Sequence, residues 1–187
     1  MDGYARPWAI AGGWALDLFL GRTSRFHSDV DVAVLRRDQH DLRLHLELRA
    51  FIPRKVVDGE LVEWKVGDWL ELPVHEIHVK SAAGKTFGFE LLLNECQDDL
   101  WVYRRDQRIR LPLALAIQSP GHLPHLAPEI ALLFKSKSPT AVDENDFAAA
   151  VPHLSPDQRR WLMESLSISR PSHPWAEMLE AEAGEKL

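Results

Sequence analysis

A pair of glycines most narrows what this chain can fold into. Gly12-Gly13 separates a short apolar run, Pro7 to Ile10, from WALDLFL at 14–20, and Gly21 follows at once. The order reads as strand, glycine turn and helix, with Gly21 as the stop. Next, HSDVDVAVL from His27 to Leu35 alternates, with Val30, Val32 and Val34 on one face, as a strand does. Asp29 and Asp31 lie two apart in it, so both side chains leave the same face. Their Cα atoms would sit about 6.5–7 Å apart, given the rise per residue. Carboxylates at that spacing can converge on one Mg²⁺ and share a second, since hard divalent ions take oxygen ligands. Alone, Asp-x-Asp more often describes a solvated strand face. The glycine junction adds specificity. Glycines there let backbone N–H groups approach a phosphate, and a helix N-terminus favours negative charge. Together the two features can set a triphosphate beside a metal pair.

A third carboxylate is expected from a neighbouring strand. In TFGFELLLNE, Glu90 stands inside an apolar run, where an acid is costly unless paired or bound to a metal. An edge strand facing solvent would also accommodate it. Glu71, Glu76 and Glu95 are rivals. His75 and His78 fall on opposite faces by parity and make a poor joint metal site.

The rest of the chain fixes the fold class. Asp38 is placed to cap a helix through Leu42, Leu44, Leu46 and Leu48. Residues 54–93 have period two, with Asp58-Gly59 as a hairpin turn, strands at Val74 to Lys80 and Thr86 to Leu93, and SAAGK between them. A short strand is expected at Trp101 to Tyr103. After Pro112 the pattern turns helical, with helices expected from Pro128, Val142, Pro156 and Trp175. This predicts an α+β chain, a mixed twisted sheet with flanking helices over residues 1–112 and a helical region over 113–187, packed as one unit.

Composition excludes several classes. The 187 residues carry a formal net charge of −6, against broad salt-driven nucleic-acid binding, although a local basic pocket for one triphosphate stays open. Cys96 is the one cysteine, so neither a disulfide framework nor a Cys-rich zinc site can form. No apolar stretch approaches the ~20 residues of a membrane helix. A cytoplasmic protein is the expectation.

The run GGWALDLFLGRTSRFHSDVDVAV resembles the aminoglycoside and lincosamide nucleotidyltransferases of the polymerase-beta-like superfamily. Gly12, Gly13, Trp14, Ala15, Leu16, Asp17, Gly21, Arg22, Arg25, His27, Asp29, Val30, Asp31 and Val32 carry the likeness. It continues more weakly through FELLLNE, WVYRRDQRI and HLAPEIALLFKSK. The resemblance implies a polymerase-beta-like core, two Mg²⁺ ions, and ATP or another NTP. It also implies transfer of a nucleoside monophosphate, by expectation AMP, to a hydroxyl of a small molecule such as an antibiotic. By it, Asp29, Asp31 and Glu90 ligate the metals, and Glu90 doubles as the base that deprotonates the acceptor. Gly12, Gly13, Arg25, His27 and Lys135 are placed at the triphosphate, His27 chiefly as a brace for its loop. Two other outcomes fit the same residues: an antitoxin-like AMP-transferase acting on a protein partner, and a non-catalytic nucleotide-binding regulator. Where relatives carry Lys-Asp-Glu, this chain has Val142-Asp143-Glu144, and Asp143 and Asp146 are read as helix-capping or acceptor-contact residues.

The remaining features read blandly. Asp17 either orients Arg25 or another part of its loop, or faces solvent. The seven tryptophans are expected as core anchors, RRDQRIR at 104–110 as a solvated face, and His122, His125, His153 and His173 as loop or cap residues.

Overall fold

The computed structural model describes residues 1–82, 88–121 and 123–184, the last four through their backbone alone. Thr86, Phe87, most of the SAAGK joint and His122 lie outside the described residues.

The glycine junction forms as expected. Strand β1 (Trp8–Ile10) leads into helix α1 (Gly12–Leu20). Gly21 ends that helix in the left-handed region at φ 65°, where only glycine avoids a Cβ penalty. The N–H groups of Gly21 and Arg22 return to the carbonyls of Leu18 and Asp17. Strand β2 is shorter than the alternation suggests, running Asp31–Leu35. Asp31 therefore opens the strand, and Asp29 precedes it as an exposed loop residue. Residues Arg36–Asp38 form a 3₁₀ turn before α2 (Gln39–Leu48), and the Asp38 side chain makes no cap hydrogen bond there.

Strands β3 (Phe51–Val57) and β4 (Glu60–Glu63) form the expected hairpin. Asp58 and Gly59 both have positive φ, 51° and 82°, as a two-residue hairpin turn requires. Strands β5 (Glu76–Ser81) and β6 (Gly88–Gln97) pair antiparallel, and β2 lies parallel to β6. Strands β7 (Leu100–Val102) and β8 (Arg110–Pro112) extend from the far end of β6. After α3 (Leu113–Ala116) come two strands that no sequence period marks, β9 (Ile117–Gln118) and β10 (His125–Leu126). Strand β10 lies parallel to β1. The main order among the described residues is β4-β3-β5-β6-β2-β1-β10-β9. Helices α4 (Pro128–Lys135), α5 (Ala141–Ala150), α6 (Pro156–Ser169) and α7 (Pro174–Gly184) follow.

The alternation of β2 divides the core. Val32 and Val34 join Ile77, Val79, Leu91 and Leu93 beneath Leu42 and Leu46 of α2. Ala33 faces the opposite layer, where Leu16, Ile130, Leu133, Phe147, Leu162 and Trp175 pack. Burying each of the large aliphatic side chains contributes about 2 kcal/mol. Helix α5 begins with a capping box in which Thr140 and Asp143 bond reciprocally, so Asp143 does cap a helix. Trp64, Trp101 and Trp175 are fully buried anchors, whereas Trp69 is largely exposed. No helix among the described residues is long and apolar enough to cross a membrane.

Candidate active site

Strand register brings the expected acids together. Asp31 of β2 is the partner of Glu90 on β6, and Glu90 is the partner of His78 on β5. Glu76, two residues before His78, shares that face. Asp31 and Asp29 both line one cleft of about 330 Å³. The glycines close it on one side. Gly12 has φ 60°, and a Cβ built on it would fall on Asp31 Oδ2, with Asp31 Cγ only 3.1 Å away. A Cβ on Gly13 would meet His27 Cε1 at 2.5 Å, and it would also strike the Arg25 guanidinium. The backbone is thus pressed against three side chains that sequence analysis singled out. The Ala11 N–H donates to the Asp31 carbonyl at 2.8 Å, tying the junction to β2. Ala11 caps α1 without a side-chain bond, and the first turn holds no acid. The positive end of that helix therefore stays open to an anion.

The loop between Gly21 and Val30 is held from three sides. Asp17, 4% exposed, accepts from the Ser24 hydroxyl and N–H and pairs with His27 Nε2 at 2.7 Å. Burial works to raise the Asp17 pKa, but the Ser24 and His27 bonds outweigh it and hold the carboxyl below its ordinary value. Asp17 thus orients the loop through Ser24 and His27 rather than Arg25. The Trp14 ring lies 4.5 Å from the His27 ring, and its indole N–H donates to the Asp29 carbonyl at 3.1 Å. Arg25 instead grips Asp146 of α5 through two 3.0 Å bonds. Lys135, at the end of α4, reaches Asp143 at 2.6 Å and Asp146 at 2.9 Å. Two cations are here matched by two carboxylates. Burial opposes ionisation of Asp146, yet its bonds to Arg25 and Lys135 keep its pKa low.

The acidic edge has the opposite character. Burial, then the charges of Glu90, Asp29 and Glu76, pushes the Asp31 pKa up to about 6. Glu90 is raised as well, by burial first, with His78 partly offsetting it. This is crowded negative charge that a cation would relieve. Among the described residues, the ligand-type group whose donor atoms all lie within 4.8 Å of one another is Glu76, His78 and Glu90. Asp29 and Asp31 line the cleft, and Glu90 joins them as the strand partner of Asp31. Of the rivals, Glu76 lines the cleft, whereas Glu95 pairs with Arg36 at 2.6 Å and Glu71 is exposed. His75 lines the cleft from outside β5, and His78 pairs with Glu76 at 2.7 Å.

Sequence reasoning missed Arg104 and Arg105. RRDQRIR was expected as a solvated face, but its first two residues line the cleft. They leave β7 beside β6, so adjacency to the strand of the third acid was the available signal. Arg105 donates to the Phe134 carbonyl and the Tyr103 hydroxyl, both at 3.1 Å.

Comparison with known proteins bears on both fold and family. Residues 1–85 match the family model described as aminoglycoside-2''-adenylyltransferase, a span that contains Gly12-Gly13 and Asp29-x-Asp31. The solution structure of the antibiotic-resistance factor ANT(2'')-Ia is similar over 96% of this chain and 88% of that one, with a TM-score of 0.56 and 14% identity. ANT(2'')-Ia in complex with adenylyl-2''-tobramycin covers 87% and 88%, at a TM-score of 0.55 and 13% identity. The lincosamide adenylyltransferase LnuA, lincomycin-bound, covers 77% and 85%, at a TM-score of 0.52 and 17% identity. No curated protein sequence matches. At such identities the solved structures establish the fold.

Proposed function

We propose that this chain, aminoglycoside/lincosamide nucleotidyltransferase-like in its first 85 residues and in its fold, transfers AMP from ATP to a hydroxyl of a small acceptor such as an aminoglycoside or lincosamide. One observation carries the reading: the Asp31 carboxylate lies against the bare Cα of Gly12, at an uncapped helix N-terminus, with Glu90 its partner across the ladder. A phosphate chain on the helix end would have its α-phosphorus beside the acids.

The donor set suits Mg²⁺. It is made of carboxylate oxygens, and burial together with the neighbouring carboxylates makes ionised Asp31 costly without a cation. Asp29, Asp31 and Glu90 would hold two ions. Bound there, they would polarise the phosphate and lower the proton affinity of the acceptor hydroxyl. The protein's own residues do the rest. The N–H groups of Gly12 and Gly13 receive phosphate oxygens, and His27, braced by Asp17, keeps the loop in place. Arg25 and Lys135 shape the phosphate end through Asp146. Glu90 takes the acceptor's proton as its oxygen bonds to the α-phosphorus. The bond from that phosphorus to the bridging oxygen breaks, and pyrophosphate leaves.

The test is incubation of the purified protein with Mg²⁺, ATP labelled at the α-phosphate, and a panel of aminoglycosides, lincosamides and cell extract. The expected result is pyrophosphate release and an acceptor heavier by one AMP. Binding of ATP without turnover across the panel would overturn the reading in favour of a regulator, and label on a protein would favour the antitoxin-like class.

A further inference from the structure

The cations at the phosphate end of the cleft are already neutralised. Arg25 is gripped by Asp146, and Lys135 by Asp143 and Asp146. Arg104 differs. It lines the same cleft, yet among the described residues no carboxylate forms an ion pair with it or with Arg105. Its guanidinium carbon lies 5.6 Å from the centre of the Phe134 ring, and that of Arg105 lies 5.4 Å from the same centre. Arg105 is anchored to the Phe134 carbonyl and Tyr103 hydroxyl; Arg104 has no such hydrogen bond among the described residues. Two guanidinium groups therefore pack against one aromatic ring, and Arg104 is the more buried of the two. Burial and the neighbouring Arg105 charge both press on the charged form of Arg104. An unpaired, desolvated cation is costly, and an oxyanion in the cleft removes that cost.

We propose that Arg104, steadied by Arg105 and Phe134, is an oxyanion subsite of the cleft, and that it takes a phosphate oxygen of the nucleoside triphosphate. This rests on the nucleotide-binding reading above. The chemistry suits the site. The fork of a guanidinium matches phosphate, and Arg104 lines the same cleft as Asp29 and Asp31, so a phosphate chain bound there could meet both the metal ligands and Arg104. Arg25 and Lys135 then hold the protein's own carboxylates, and Arg104 holds the ligand.

The experiment is calorimetric binding of ATP, pyrophosphate and adenosine to the full chain with Mg²⁺ present, for wild type, Arg104→Gln and Arg104→Lys. In the glutamine variant, ATP is expected to bind about tenfold more weakly, the size of one lost charge-assisted contact. Adenosine binding is unchanged, and the lysine variant recovers part of the loss. Equal weakening of pyrophosphate assigns the contact to the outer phosphates; weakening of ATP alone assigns it to the α-phosphate. Undiminished ATP binding by Arg104→Gln overturns the subsite while leaving the nucleotide reading intact. So does a loss of ATP and adenosine alike, which would mark a purely structural arginine. Wild-type protein that binds adenosine and ATP equally, or neither, overturns the reading and the subsite together.

Discussion

The carboxylate of Asp31 occupies the space that a side chain on Gly12 would need. Position 12 combines that contact with φ 60°, so two independent penalties fall on any substitution there. Gly12→Ala should lose transfer activity and about 2 kcal/mol of stability, from backbone strain plus displacement of β2. Thermal melting alongside a pyrophosphate-release assay checks this. An alanine variant as stable and active as wild type would show that the helix entry relaxes freely.

Asp31→Asn separates catalysis from stability. The substitution removes one of four acids crowded at the cleft, so the metal-free protein should melt at the same temperature or higher. Transfer should fall by about a hundredfold or more, the loss typical of a removed electrostatic contact at a reacting phosphate. Added Mg²⁺ should raise the melting temperature of wild type and leave that of the variant unmoved. A variant that melts lower in chelator would reveal a structural role instead.

Asp146 is 6% exposed and bonds two cations from different elements. Asp146→Ala leaves Arg25 without its partner and Lys135 with Asp143 alone. The expected cost is about 2–3 kcal/mol, since breaking a buried pair strands a charge. ATP affinity should drop with it, because the 21–30 loop loses its tie to α5. A cycle with Lys135→Ala should show strong non-additivity in urea unfolding. Simple additivity would argue against the shared network.

Glu129 gives a pH dependence remote from the cleft acids. It is 3% exposed at the start of α4, and burial raises its pKa from 4.5 to about 7 despite the bond from Gln158. Between those values the unfolded chain ionises while the folded one holds its proton. The stability Glu129 permits is fully present below pH 4.5 and is lost as pH rises through 7. The difference corresponds to about 3 kcal/mol. Glu129→Gln keeps the shape and can still accept the Gln158 bond. It should match wild type in urea at pH 4.5 and exceed it at pH 8, and an equal gap at both pH values would contradict this.

Much of the centre was legible because it depends on local chemistry. The glycine pair and the alternating valines place Gly12 and Asp31 in one cleft, and the lone acid in FELLLNE, Glu90, is the strand partner of Asp31. Where the expectation slipped, long-range geometry decided. Asp29 leaves the strand because pairing with β6 begins at Asp31, opposite Glu90, and pairing with β1 only at Val32. β9 and β10 are two residues each, too short to show a period; β10 adds to the edge of β1, and β9 to β10. Arg104 and Arg105 look like a solvated basic run until β7 delivers them beside β6. The pairing of Lys135 with both Asp143 and Asp146 needs two helices to meet, which no spacing announces.

The tie between Arg25 and Asp146 also has a consequence for how the protein comes into being. The chain emerges from the ribosome N-terminus first, and the Gly12 junction and both aspartates are made early. Ile10 must wait for His125 before the open edge of β1 is covered, and the loop bearing Arg25 must wait for α5. A nascent chain halted before residue 146 carries every acid of the cleft but not the clamp that fixes its phosphate end. Competence therefore waits until α5 has been made and can close over a turn made long before it.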